Sequence, residues 1–171
     1  GSEMCIRDRK CGASGLGFKV PEGVYFLDID HRELLDPLLQ KFLKRHNSYT
    51  EFSPSGNGIH ILGTCDAERL PIIYDAKKQR NILSSEFYQK NSAIGVELYI
   101  GSATNRFATF TGNMVNDAPL AEGTDAVLAT LHEDMRRKDK GKAHPADDGE
   151  KMLFDVVAGL RRQKNSGKFI K

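Results

Sequence analysis

Two carboxylates on one β-prone run are the first residues in this chain whose types and spacing could do chemistry. Residues 24–30 read Val-Tyr-Phe-Leu-Asp-Ile-Asp, so Asp28 and Asp30 stand two positions apart. Side chains alternate between the faces of a strand, which points both carboxylates to one side and Leu27 and Ile29 to the other, toward a core. Oxygen ligands of this kind suit a hard divalent cation such as Mg²⁺.

Two later segments add a histidine and a third acid. His60 follows the glycine-containing run 53–58, and Glu97 lies between Val96 and Leu98 on another strand-like run. Each segment alone also has an ordinary interpretation: an acid pair at a strand end suits a solvated edge, a histidine after a turn suits a loop or core position, and Glu97 suits the wet face of a half-buried strand. Their order and spacing together indicate a shared site.

This order and spacing resemble the catalytic core of the archaeo-eukaryotic primase superfamily, and most closely the primase-polymerase domains of phages, plasmids and other mobile elements. That family has a hydrophobic strand ending in D-x-D, then a small-x-His motif, then a hydrophobic residue followed by an acid. The resemblance covers roughly residues 14–171, because several separate blocks match. The matching stretches are 15–18, 26–31, 50–61, 96–99, 105–112 and 164–169.

The resemblance implies a template-directed nucleotidyltransferase, that is, a DNA primase, a DNA polymerase or both. Asp28, Asp30 and Glu97 would hold two divalent cations, Mg²⁺ or Mn²⁺, which assist transfer to a 3′-hydroxyl. The expected partners are a single-stranded DNA template, a primer strand and NTPs or dNTPs, with a helicase region in the full-length protein. Superfamily relatives with a zinc element exist, but no zinc site is expected here.

A nucleotide-binding set follows from the same comparison. His60 would reach the triphosphate, and glycine allows close approach of the backbone to phosphate oxygens. Arg106 follows a Gly/Ser/Thr loop and would bind phosphate in a bidentate manner, with an ordinary cross-strand ion pair as the alternative. The full predicted set is Ser53, Ser55, Gly56, Asn57, Gly58, His60 and Arg106.

Two other functions fit parts of the pattern. Tyr88 and Lys90 form a Y-x-K that suits a rolling-circle replication endonuclease, but such enzymes use two histidines, and His60 is followed by Ile61-Leu-Gly. A non-catalytic single-stranded-DNA-binding module would need stacking aromatic residues, yet the chain has no tryptophan and few aromatic residues. Neither alternative explains three converging acids.

The composition limits the number of domains, the kind of nucleic-acid surface and the cellular compartment only modestly. The 171 residues suit one domain with a proper core, and the formal net charge of +2 requires any nucleic-acid surface to be local. Three cysteines without a C-x-x-C pair favour a reducing compartment. No apolar run is long enough to span a membrane, so a cytoplasmic location in a bacterial or phage-infected cell is expected.

The coarse pattern predicts an α+β fold: a mixed, mostly antiparallel, RRM-like sheet packed by helices. Strands are expected at 23–30, 48–52, from 59, at 95–100 and at 106–111, and helices at 33–45, 125–137 and 150–163. Residues 66–92 have few clear periods and are expected to form an irregular insertion. The predicted organisation is a doubtful N-terminal segment with a tag scar at 1–13, a catalytic domain at 14–137, a linker at 138–148 and the start of a truncated helical region at 149–171.

Overall fold

A five-stranded antiparallel sheet forms the centre of the structure, a computed structural model that describes residues 16–30 and 33–138. All four pairs of neighbouring strands run antiparallel, as the sequence pattern predicted for most of the sheet. The RRM-like arrangement implied by the resemblance stays a prediction. From edge to edge the strands are β3 (Thr50–Phe52), β4 (Ile59–Thr64), β2 (Val24–Ile29), β8 (Val96–Ile100) and β7 (Lys90–Asn91).

Two smaller pairs of strands accompany this sheet. β1 (Leu16–Lys19) pairs with β9 (Phe107–Phe110), and β5 (Ile72–Asp75) forms a hairpin with β6 (Arg80–Leu83). The predicted irregular insertion at 66–92 is therefore wrong. That stretch contains a short 3₁₀ helix, the β5–β6 hairpin and strand β7, whose lengths of two to four residues leave little periodicity to detect.

The first helix, α1 (Pro37–His46), begins later than residue 33, because Asp36 caps it. The Asp36 carboxylate accepts hydrogen bonds from the amides of Leu38 (2.8 Å) and Leu39 (3.1 Å). Proline suits the first helical position, since its missing N–H would have no partner there. The second helix, α2 (Thr124–Glu133), also ends earlier than its predicted limit of residue 137.

Alternation along β2 divides the central sheet into two faces. Tyr25, Leu27 and Ile29 are fully buried in the main hydrophobic core, which α1 and α2 cover with Leu39, Phe42, Val127 and Leu131. Burial of each large apolar side chain contributes about 1.5–3 kcal/mol, so this face holds the helices to the sheet. Phe26 points to the opposite face, into a second cluster to which the β1–β9 pair contributes Phe18, Ala108 and Phe110.

The described residues up to Arg137 belong to one compact unit. The predicted N-terminal segment at 1–13 and the predicted C-terminal helix at 150–163 lie outside the described residues, as does the linker beyond Lys138. Within the described ranges, no helix combines the length and the apolar character needed to cross a bilayer.

We expect Gly101→Ala to lower the free energy of unfolding by about 2 kcal/mol or more, because overpacking forces the backbone to shift. A Cβ at this position would lie 1.7 Å from the carbonyl oxygen of Pro21. Gly17→Ala is the matched control, since its Cβ would meet nothing within 4 Å. Urea unfolding monitored by circular dichroism measures both variants, and equal midpoints for the two would contradict the close approach at Gly101.

Candidate functional site

Five ionisable side chains lie side by side across the central sheet, one from each strand. The pairing register sets Glu51 opposite His60, His60 opposite Asp28, Asp28 opposite Glu97 and Glu97 opposite Lys90. Directly opposed residues on antiparallel strands project to the same face, with Cβ atoms roughly 4.5–5.5 Å apart. The five therefore form one continuous line, which we call the charged row. It lies on the face opposite the helices.

The structure brings the three predicted metal ligands to this one face. Asp28 and Glu97 belong to the charged row, and Asp30 follows Asp28 by two residues. The Asp30 amide donates to the carbonyl oxygen of Gly95 at 2.8 Å, so the pairing with the segment before β8 extends beyond β2. Strand alternation then directs the Asp30 carboxylate to the same side as Asp28.

Asp28 is the carboxylate of the charged row whose ionised form is disfavoured by its surroundings. Burial raises its pKa above the usual range, and the nearby charges of Asp30 and Glu97 add to that rise, while His60 and Lys90 oppose it. Like charges held this close disfavour one another's ionised forms. A cation bound between Asp28 and a neighbouring acid would reduce this repulsion. The donor set of hard oxygen ligands thus fits a divalent metal ion.

Glu97 is held ionised by its neighbours. Its carboxylate accepts hydrogen bonds from the Lys90 ammonium and from the Tyr99 hydroxyl, the latter at 2.6 Å. Burial alone would raise the pKa of Glu97, but these bonds and the charges of Lys90 and Arg106 outweigh it and lower the pKa. Among the described residues, no three His, Cys, Asp or Glu side chains are arranged as a ready metal-binding group.

His60 is buried between two carboxylates. Its Nδ1 lies 3.0 Å from Oε1 of Glu51, and its Nε2 lies 3.6 Å from Oδ1 of Asp28. An ionised carboxylate only accepts hydrogen bonds, so Nδ1 carries the proton in the bond to Glu51. The ring of Phe26 packs against the imidazole at 4.7 Å between centroids. These contacts fix the orientation of the ring and direct Nε2 toward Asp28.

Glu51 is a site residue that the sequence interpretation missed. It is fully buried, yet four groups donate to its carboxylate: His60 Nδ1, the Tyr49 hydroxyl (3.0 Å) and the amides of Thr111 (3.0 Å) and Gly112 (2.8 Å). Burial alone would raise its pKa, but these hydrogen bonds outweigh it and lower the pKa of Glu51. The signal was available, because residues 51 and 60 lie at equal distances from the centre of the turn between β3 and β4, and a hairpin pairs such residues.

Lys90 is the second missed residue, and the same signal identifies it. Lys90 and Glu97 flank the turn between β7 and β8 symmetrically and pair across it. Tyr88, its partner in the Y-x-K pattern, instead packs against the main hydrophobic core, with the Arg137 guanidinium 4.8 Å from the centre of its ring. The two residues thus face different surroundings, which gives no support to a tyrosine nucleophile beside the acids.

The backbone amides of the turn between β3 and β4 are hydrogen-bonded within the turn itself. The amide of Gly58 donates to Ser53 Oγ (3.0 Å), that of Gly56 to the Ser53 carbonyl oxygen (2.9 Å) and that of Asn57 to Ser55 Oγ (3.3 Å). The amides predicted to surround a phosphate are therefore engaged within the turn. The exposed side chains of Ser55 and Asn57 are the groups that this turn offers to a ligand.

Arg106 immediately precedes β9 and is exposed. Its positive charge acts through space on both Glu97 and Tyr99, which places it near the Glu97 end of the predicted metal site. Among the described residues, no carboxylate lies within ion-pair distance of Arg106. The alternative of an ordinary cross-strand ion pair is thus absent from this part of the chain, and its role in binding phosphate stays a prediction.

Comparison with known proteins gives one distant relative. No family model matches the chain. Over 165 aligned residues the chain is 26% identical to a protein named DNA Primase-polymerase from Nitratiruptor phage NrS-1. The alignment covers 92% of this chain and 20% of the phage protein, so the chain spans about a fifth of the length of the curated relative it matches. The similarity supports a distant relationship to a phage primase-polymerase.

We expect Glu51→Gln to lower the free energy of unfolding by about 2 kcal/mol, because an amide NH₂ would then face groups that donate. The stabilisation by Glu51 is present above its unfolded pKa of 4.5 and is lost as the pH falls through its lower folded value, so the effect is largest near neutral pH. Urea unfolding at pH 7 and pH 4 measures it, with exposed Glu68→Gln as control. A loss no greater than that of the control would contradict the role of Glu51.

The same replacement of an acid by its amide at Asp28 should have the opposite effect on the free energy of unfolding. The raised pKa of Asp28 means that its ionised form destabilises the fold above its unfolded pKa of 3.8. Asp28→Asn is therefore expected to raise the free energy of unfolding at pH 7, and this gain should vanish below about pH 3.8. Exposed Asp117→Asn is the control. Thermal unfolding that shows Asp28→Asn to be less stable than the parent at pH 7 would refute the repulsion.

Proposed function

We propose that this chain is the catalytic domain of a DNA primase-polymerase, which adds nucleotides to a 3′-hydroxyl on a single-stranded DNA template. One observation carries the proposal: Asp28 and Glu97 project from neighbouring strands to one face of the sheet, with Asp30 two residues beyond Asp28, beside a histidine fixed by a buried acid. The distant similarity to a phage primase-polymerase supports the same function. Burial, with a smaller contribution from the neighbouring acids, raises the pKa of Asp28, a property typical of functional sites.

Asp28, Asp30 and Glu97 would hold the divalent cations, either Mg²⁺ or Mn²⁺. When bound, such ions neutralise phosphate charge and stabilise the attacking and leaving oxygens. The fit rests on the carboxylates themselves: burial and the charges of Asp30 and Glu97 disfavour the ionised form of Asp28, and a cation beside it would offset both. Lys90 already supplies a positive charge to Glu97, at the edge of the sheet.

His60 would act in nucleotide binding through its Nε2 atom. The bond from Nδ1 to Glu51 fixes the direction of the ring, so Nε2 faces the Asp28 side of the charged row. At 3.6 Å the contact with Asp28 is too long for a hydrogen bond. A triphosphate oxygen only accepts hydrogen bonds, so in this proposal His60 binds it as the imidazolium, which donates from Nε2–H as well as from Nδ1–H. In this proposal, Glu51 positions His60 and does not touch the substrate.

Arg106 and the β3–β4 turn would complete the nucleotide site. The Arg106 guanidinium is exposed close to Glu97, and its planar geometry matches two phosphate oxygens. Ser55 and Asn57 present an exposed hydroxyl and carboxamide on the turn before β4, the strand that carries His60. Phosphoryl transfer depends on positioning and charge neutralisation more than on covalent chemistry, and these groups supply both.

A primer-extension assay with labelled nucleotides on single-stranded DNA tests the function. Asp28→Ala combined with Asp30→Ala should reduce incorporation by at least about 100-fold, since the charge stabilisation supplied by bound metal is worth several kcal/mol. Chelation of the metal in the parent should have the same effect. The matched control is Glu68→Ala with Asp117→Ala, which removes two exposed acids and should retain parental activity.

Circular dichroism of both double variants separates loss of chemistry from loss of fold. A folded Asp28/Asp30 variant that still extends primers at the parental rate would remove the acids from the mechanism. A further arm omits nucleotides and looks for a protein–DNA adduct on a denaturing gel. Phosphoryl transfer with release of pyrophosphate forms no such adduct, so a covalent product would point to an endonuclease instead.

A further inference from the structure

A cleft of about 670 Å³ opens where three segments that are distant in the sequence meet. The end of β1 contributes Lys19 and the connection to β2 contributes Glu22, while the β5–β6 hairpin contributes Lys78 from its turn and Arg80 from the start of β6. The loop between β8 and β9 provides its third wall, including Ser102 and Asn105. None of these residues belongs to the predicted nucleotide or metal site.

The side chains around the cleft concentrate positive charge. Three cations face a single carboxylate, Glu22, although the formal net charge of the whole chain is only +2. Lys78 has an acid nearby, Asp75, at 3.4 Å. Lys19 and Arg80 are exposed, and neither has a carboxylate within ion-pair distance in the described part of the chain. These two cations are thus available to an anionic ligand.

The lining favours a phosphate backbone over a small organic ligand. Small-molecule pockets are lined mainly by hydrophobic and aromatic side chains, whereas this cleft has no aromatic residue and only Val20 and Pro21 as apolar ones. Lysine, arginine, serine and asparagine side chains are the groups that commonly contact nucleic-acid phosphates. Exposed Ser102 and Asn105 supply the two uncharged donors.

The loop that ends at Arg106 connects the cleft to the proposed active site. Asn105 lines the cleft, and the next residue, Arg106, acts electrostatically on Glu97. Ser102, which lines the cleft, follows Glu97 by five residues, a separation of at most about 17 Å at 3.4 Å per residue. A DNA strand bound in the cleft would therefore pass within about 17 Å of Glu97.

We propose that this cleft binds the phosphate backbone of single-stranded DNA through Lys19 and Arg80, and so guides the template toward the charged row. That the bound DNA is a template rests on the proposed function, but the binding of a DNA strand does not require that the chain be an enzyme. The positive charge explains how a nearly neutral chain would attract a polyanion at one place on its surface.

Fluorescence anisotropy with a labelled oligothymidylate tests this, using the 171-residue chain. Lys19→Glu combined with Arg80→Glu should weaken binding by at least about tenfold, and should lower the slope of log K against log salt by about 1.4, or 0.7 for each lost phosphate contact. The matched control is Lys44→Glu with Arg136→Glu, which makes the same change of charge at two exposed positions outside the cleft and should stay within about twofold of the parent.

Three outcomes are decisive. Equal losses in the cleft variant and the control would overturn the proposal, because net charge alone would then explain binding. Loss of dNTP affinity by calorimetry in the cleft variant, with the affinity for oligothymidylate unchanged, would also overturn it and make the cleft a nucleotide site. Cleft-dependent DNA binding in a parent that incorporates no nucleotides would support the cleft while refuting the proposed function.

Discussion

The buried carboxylate of Glu51 is the interaction on which the site depends. An ionised group without contact with water is costly unless its lone pairs are satisfied, and here four donors satisfy them. Two of these donors are amides of the segment after β9, so the same carboxylate connects the edge of the central sheet to the chain that leaves the smaller pair of strands. A third donor is His60. Glu51 thereby holds both the imidazole of His60 and the segment at Thr111 and Gly112 in place.

Opposite electrostatic conditions exist within one line of residues. At one end, Glu51 is stabilised as an anion by donors, and at the other end Glu97 is stabilised by Lys90. Between them, Asp28 is destabilised as an anion by burial and by its acidic neighbours. Well-satisfied charges at both ends hold the strands in register, and the unfavourable charge in the middle remains where a ligand could relieve it. Such local unfavourable arrangements are expected at functional sites and are tolerated because the surrounding fold enforces them.

The sequence predicted the parts of this arrangement that depend on local pattern. The apolar runs of β2, β4 and β8 and the capped helix α1 were recognisable from periodicity, and alternation correctly placed Leu27 and Ile29 in the core. Pairing between distant segments was not recognisable, as for Leu16–Lys19 with Phe107–Phe110, because no local signal specifies a partner so far along the chain. The cleft was missed for the same reason. Glu51 and Lys90 were recoverable in principle, since hairpin symmetry sets each opposite a residue that had been identified.

The position of β2 between β4 and β8 affects how the protein folds while it is being synthesised on the ribosome. β2 is the first strand of the central sheet to be synthesised, yet its neighbours are β4 (Ile59–Thr64) and β8 (Val96–Ile100). At 5–20 residues per second, roughly 4–14 s of synthesis separate the end of β2 from the end of β8. During that interval the most apolar strand of the sheet has at least one unpaired edge, which is the form most prone to aggregation. The acids of the site are also assembled only when this interval ends, so a nascent chain holds no complete set of them before β8 has emerged and paired.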